Sequence, residues 1–231
     1  MNEENIFIRS KEVWENNLIK FPETLLKFPS ENLVRLFSGR YLEIPLPPAK
    51  IMDHGFGHGN NLFYFADLGY ECYGCEISKN LIDVVNCLGK ERGVKIDLRL
   101  IDNLKLPFDD NMFDIIISWD VLHYNGTKES VQKIIDEFLR ILKKGGILLL
   151  STVHPDSSIF DRVEHLGNNS YAIVKESKYD NRKDLTFYIA QTTDEIMELY
   201  RSFREVKIGK YYYNLFNDDK RHAAYLIYGV K

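Results

Sequence analysis

Cysteine is scarce in this chain, cationic excess is absent, and there is no long apolar run. Three cysteines occur in 231 residues, Cys72, Cys75 and Cys87. So few, in an odd number, exclude a disulfide framework. Cys72 and Cys75 form a C-x-x-C, which suggests redox or zinc chemistry, but the pair falls on an expected strand with no second Cys/His pair nearby. Buried, reduced thiols are expected, and no metal. The net charge is -4 and the isoelectric point about 5.9. That balance argues against a face that neutralises phosphates, so no nucleic-acid partner is expected. No stretch approaches the roughly 20 apolar residues that span a bilayer, and the acidic opening Met1 to Asn5 lacks the apolar run of a secretory signal. A cytoplasmic protein with no membrane partner, monomeric or homodimeric, is expected. No internal repeat or low-complexity segment interrupts the chain, and its length suits one domain.

What is present is organised around Ile51 to Asn61. Two prolines precede an apolar strand at 50–53. Gly55, Gly57 and Gly59 then alternate with larger residues before a helix opens. A strand, a glycine loop and a helix in that order make an anion- or nucleotide-binding corner. On its own, G-x-G-x-G is a weak signal.

From that corner the pattern is regular. Strands are expected at 50–53, 71–76, 95–101, 113–118 and 147–152, alternating with helices at 60–68, 79–92 and 128–142. Gly69 and Gly93 stop two of the helices, and Ser78 caps one. Such alternation implies a parallel sheet with helices on both faces and the ligand at the carboxyl ends of the strands. Before the corner, residues 10–42 read as helical, with Trp14, Leu18 and Phe21 on one face and Ser30 capping a second helix to about Tyr41. Residues 1–45 are expected to form a helical flap over a core at 50–153. Residues 155–190 read as an insertion holding strands at 171–174 and 185–189 with a charged link between. Thr193 is expected to cap a helix, and residues 206–213 and 221–230 to form a terminal hairpin turning at Asn217 to Asp219.

The strand ends carry acids. Asp53 closes strand one. Glu76 closes strand two, about 20 residues after the glycine loop, where a dinucleotide fold keeps its ribose-binding carboxylate. Asp102 closes strand three, placed to accept from an exocyclic amine such as that of adenine. Ser118-Trp119-Asp120 closes strand four. Any one of these is an ordinary loop carboxylate; at successive strand ends they form a set.

These residues resemble the class I S-adenosylmethionine-dependent methyltransferases. Asp53-His-Gly-Phe-Gly-His-Gly59 is similar to the family's D-x-G-x-G-x-G. Asp102 with Leu106-Pro107-Phe108 is similar to its D-x-x-x-L-P-F, Phe113 to His123 to its F-D-x-V-x-S-x-x-V-L-H, and Leu139 to Gly146 to its L-R-x-L-K-P-G-G, with Lys144 where proline is usual. The resemblance implies a Rossmann-like three-layer α/β sandwich, with a mostly parallel seven-stranded sheet and a reversed terminal strand. It implies S-adenosylmethionine as cofactor, with Glu76 on the ribose, Asp102 on the adenine, Asp53 near the methionine amino group and the Ser118 carbonyl accepting from that amino group. Gly55, Phe56, Gly57, Asn60, Ile77, Asn103, Leu104 and Trp119 complete the expected cofactor shell. Trp14 and Tyr124 are expected to meet the substrate.

An oxygen acceptor usually needs a base, and His123 and His154 follow strands four and five, with histidine titrating in the useful range. His54 and His58 are expected to line the cofactor or face solvent. The run after strand four lacks the Pro-Pro-aromatic element of base-modifying amino-methyltransferases, and no acidic metal triad of catechol type is visible. A small-molecule methyl acceptor, methylated at an oxygen, is therefore expected. Two other readings stay open: a non-catalytic S-adenosylmethionine-binding domain, and an NAD(P)-dependent oxidoreductase sharing the glycine corner.

Overall fold

The computed structural model describes residues 3–20, 27–39, 41–175, 182–214 and 222–231. In the central strands β1 (Lys50–His54) and β4 (Phe113–Trp119), Ile51 to His54 and Ile115 to Ser118 are all buried. Runs buried on both faces belong in the middle of a parallel sheet. They pair with each other and with β2 (Glu71–Glu76) and β5 (Leu142–Val153), and β2 pairs in turn with β3 (Asp97–Leu100). The chain closes with β9 (Glu205–Tyr213) and β10 (His222–Val230). The sheet has seven strands in the order β3-β2-β1-β4-β5-β10-β9. Only β10 runs against its neighbours, so the mostly parallel sheet with a reversed last strand is the fold observed.

Alternation along the strands divides the core into two layers. Met52, Ile116, Leu148 and Leu150 face α5 (Lys128–Ile141) and α6 (Thr193–Leu199). Ile51, Ile115, Ile117 and Leu149 face α3 (Asn60–Asp67) and α4 (Lys79–Arg92). In α5, Val131, Ile134, Ile135, Phe138 and Ile141 recur at helical spacing and are buried, and Thr127 caps the helix by accepting from Ser130 N. Ser78 caps α4, and Gly93 ends it at φ 67°. Cys72 and Cys75 are buried thiols, whereas Cys87 is exposed on α4.

Several boundaries differ from expectation. Helix α1 spans Glu3–Lys20, because Ile6, Ser10 and Val13 share a buried face. Helix α2 is Glu31–Ser38 and stops short of Tyr41; Ser30 makes no side-chain cap, its N–H instead reaching Asn61 Oδ1 at 3.0 Å. Thr192, not Thr193, caps α6. The 155–190 region adds a second, three-stranded sheet of β6 (Val163–Gly167), β7 (Ser170–Ile173) and β8 (Thr186–Tyr188). Strand β6 is largely exposed and polar, so no hydrophobic alternation marks it. The Asn217 to Asp219 turn, most of the 175–184 link, Phe21 and the side chain of Leu18 lie outside the described residues. Among the described residues, no helix is long and apolar enough to cross a membrane, and no His/Cys/Asp/Glu cluster is arranged to hold a metal.

Candidate cofactor and acceptor site

The carboxyl ends of β1, β2 and β4, with the end of β9 and the start of β10, border one cavity of about 790 Å³. That volume lies within the roughly 300–1,000 Å³ usual for small-ligand sites. Helix α1 closes one side with Ile6, Phe7, Ser10 and Trp14. The 28–30 segment closes another and is tied to the glycine corner: Asn60 Nδ2 donates to Phe28 O at 2.8 Å.

The corner itself is a backbone surface. Gly55 stands at φ 67°, and a Cβ there would meet Val121 Cγ1 at 2.5 Å. Gly57, at φ 55°, has nothing within 4 Å of where its Cβ would be, so a ligand can approach the main chain. Its N–H donates to Glu76 Oε2 at 3.2 Å, while Glu76 Oε1 accepts from Ile77 N at 2.7 Å and Ser78 N at 3.4 Å. Burial pushes the Glu76 carboxyl up, and the three backbone donors pull it partly back. Asp53 is 1% exposed and lines the same cavity, and its Oδ2 has no partner among the described residues. Burial, aided by the Glu76 charge, pushes its carboxyl well above the usual carboxylate range.

Phe56, Ile77, Leu104 and Trp119 also lie on the wall. Trp14 and Tyr124 meet there edge to face, with ring centroids 5.4 Å apart. Other expected residues are not brought to it. Asp102 and Asn103 are exposed and bond to each other at 2.8 Å, and Ile101 and Leu104 take that part of the wall. Ser118 is buried, its hydroxyl 3.0 Å from His54 Nδ1. His54 does not face solvent: burial lowers its pKa to about 4, its ring packs edge-on to Phe138, and it borders the cavity, as His58 does.

His123 sits in a 3-10 turn (Leu122–Asn125) that presents Tyr124 and Asn125 to the cavity. Its own ring packs against Tyr124 and Phe187, with Nδ1 3.4 Å from Thr152 Oγ1. His154 accepts from Asp156 N at 3.0 Å and packs on Tyr212 and Tyr225. Neither histidine is on the wall.

Sequence reasoning named Asp120 only as one of the strand-end acids and missed Tyr211, Tyr213 and His222; together the four form the end of the cavity away from Glu76. The available signal was the Tyr211 to Tyr213 run at the end of a strand, where alternate residues share a face. Among the described residues no lysine or arginine lines the cavity; Arg182 donates to the Tyr124 hydroxyl at 2.5 Å without reaching the wall.

A parallel sheet whose glycine corner and buried acids converge on one cavity defines a nucleoside-binding α/β domain. Residues 52–150 match the family model described as a methyltransferase domain. The chain is 28% identical over 151 residues to the ubiquinone biosynthesis O-methyltransferase of Pelagibacter ubique, covering 63% of this chain and 61% of that protein. It is 32% identical over 111 residues to the probable tRNA methyltransferase 9B of Mus musculus, covering 48% and 23%. The chain thus spans less than two-thirds of the length of these curated relatives. A solved S-adenosylmethionine-dependent methyltransferase from Methanosarcina mazei superposes with a TM-score of 0.65 at 18% identity, over 84% of this chain and 96% of that one, a likeness of fold. Residues 52–150 of this chain are thus similar to a methyltransferase domain, the fold is shared with an S-adenosylmethionine-dependent methyltransferase, and the candidate cofactor is S-adenosylmethionine.

The residues present fit that group. The unpartnered Asp53 Oδ2 calls for a donor or cation, Glu76 is oriented by three N–H groups toward the corner, and Gly57 leaves room against the main chain.

Proposed function

We propose that the whole chain is an S-adenosylmethionine-dependent methyltransferase acting on a small molecule, at an oxygen. The observation that carries this reading is the pair of buried carboxylates, Asp53 and Glu76, facing one cavity beside an open glycine corner. In this reading Glu76 accepts from the ribose hydroxyls, Asp53 receives the methionine amino group, and Ile77, Ile101 and Leu104 hold the adenine by packing. The bound cofactor supplies a methyl group activated by its sulfonium. The protein's own task is to align the acceptor and exclude water.

The cavity wall supports a small acceptor. Helix α1 and the 28–30 segment close it, and among the described residues its wall offers no lysine or arginine to a nucleic-acid backbone. The aromatic side chains on the wall, Trp14, Trp119, Tyr124 and Tyr213, suit a planar molecule instead. The test is to incubate the protein with methyl-labelled S-adenosylmethionine and a cell extract of its host, then separate the products. Label in the small-molecule fraction is expected. Label in nuclease-sensitive material would place the acceptor among nucleic acids.

A further inference from the structure

Three side chains at the far end of the cavity come from three elements and form one hydrogen-bonded chain. Ser151 Oγ donates to Asp120 Oδ1 at 2.7 Å and accepts from Asp120 N at 2.9 Å, which fixes the acid. Asp120 is held at φ 57°, a left-handed conformation that an aspartate adopts at a cost. Tyr211 Oη lies 3.5 Å from Asp120 Oδ2 and 3.3 Å from His222 Nε2. Tyr213 pairs with His222 across the β9–β10 ladder and stacks on its ring at 22°. Asp120, Tyr211, Tyr213 and His222 all line the cavity.

Tyr211 has one O–H to give. A carboxylate is the stronger acceptor, so the proton goes to Asp120 Oδ2. His222 Nε2 must then carry a hydrogen and donate to Tyr211 Oη, and in a neutral ring that leaves the lone pair on Nδ1. Each oxygen of Asp120 accepts one hydrogen bond in this arrangement, and through Tyr211 the acid orients the imidazole of His222.

We infer that Asp120 and Tyr211 position His222 to take the proton from a neutral, flat, phenol-like hydroxyl acceptor lying among Trp14, Trp119, Tyr124 and Tyr213. The inference rests on the methyltransferase reading and names the acceptor end of the same site. In the step, the acceptor O–H bond breaks and its electron pair stays on oxygen. The proton moves to His222 Nδ1, leaving an oxyanion and an imidazolium, and it passes to water afterwards. Among the described residues, the groups facing His222 are Tyr211 and Tyr213 on β9, with Asp120 beyond Tyr211. The Tyr211 and Asp120 contacts are long, as catalytic hydrogen bonds often are before a ligand binds. Anionic acceptors are disfavoured, because no lysine or arginine among the described residues lines the wall.

The probe is 4-nitrophenol, whose phenolate absorbs visible light, added to protein saturated with S-adenosylhomocysteine. The native protein should bind it and raise its ionised fraction above that of the free probe at the same pH. His222→Gln should lower the ratio of ionised to neutral bound probe about tenfold, the equivalent of one pKa unit. Tyr211→Phe, which keeps the ring and its packing, should reduce it in the same direction. Both variants should bind S-adenosylhomocysteine within about twofold of native, since the changed groups lie away from Glu76. A probe that does not bind, binds without added ionisation, or behaves alike in all three proteins overturns the inference. Native protein that fails to bind S-adenosylhomocysteine would instead overturn the methyltransferase reading beneath it.

Discussion

Gly57 N–H donates to Glu76 Oε2 at 3.2 Å, so the loop that ends β1 and the acid that ends β2 form one unit. The carboxylate is aimed by the main chain before any ligand arrives. A ribose held by Glu76 would also lie against the glycine corner.

Glu76→Ala should therefore weaken S-adenosylhomocysteine binding by roughly 2–4 kcal/mol, given about 1.5–3 for each hydrogen bond to a charged group and partial replacement by water. It also leaves three backbone donors without their acceptor, so some loss of stability accompanies the change. Calorimetry on the folded variant reads the effect. An unchanged dissociation constant would remove Glu76 from the ribose.

The raised pKa of Asp53 predicts a proton linked to binding. An ammonium group beside the carboxyl favours its ionised form and lowers its pKa in the complex. Binding should then release protons, and affinity should fall as pH drops through the raised value of the free protein. Calorimetry in buffers of different ionisation enthalpy should show this dependence, and Asp53→Asn should abolish it. Identical apparent enthalpies in all buffers would contradict the role.

His54 and His123 are buried, with pKa values lowered from 6.5 to about 4 and about 3. A base depressed in the folded state contributes its full share of stability above the unfolded value of 6.5, and loses it as pH falls toward the folded one. For His54 the span corresponds to about 3 kcal/mol. Denaturant melts should show stability falling from pH 6.5 toward pH 4. His123→Phe should flatten part of that decline and leave turnover near native, because the ring lies off the cavity wall. A large loss of turnover would return His123 to the chemistry.

How much of this was legible beforehand follows from what sequence patterns encode. The central strands announced themselves through Ile115 to Ile117, and α4 through Ser78 and Gly93, because burial and capping are local. The glycine corner and its acids were readable for the same reason: each sits at a strand end that its own pattern defines. Side-chain direction was not. His123 and Tyr124 are adjacent, yet the 3-10 turn sends one into the core and the other to the cavity. Asp102 lies two residues beyond the end of β3 and is exposed, the wall being built by its neighbours Ile101 and Leu104. Asp120, Tyr211 and His222 come together only through the β9–β10 register and the reversal of β10, which depend on distant pairing.

Gly55→Ala and Gly57→Ala should separate packing from access. At Gly55 the added methyl meets Val121 at 2.5 Å in a left-handed conformation, so the fold should lose stability, by about 1–3 kcal/mol for the backbone strain alone. At Gly57 the backbone cost is similar in kind, about 1–2 kcal/mol, but the methyl meets no protein atom. The larger melting shift belongs to Gly55→Ala. At Gly57 the loss of cofactor affinity should exceed the loss of stability. The reverse order would contradict the corner's geometry.

Calorimetric titration of the native protein with S-adenosylhomocysteine and, separately, with NAD tests the assignment most directly. Both ligands carry an adenosine for Glu76 and the glycine corner to hold. Only the first brings an amino group to the unpartnered Asp53 Oδ2. Saturable binding of S-adenosylhomocysteine, with NAD far weaker, is the predicted result; equal or tighter binding of NAD would contradict it.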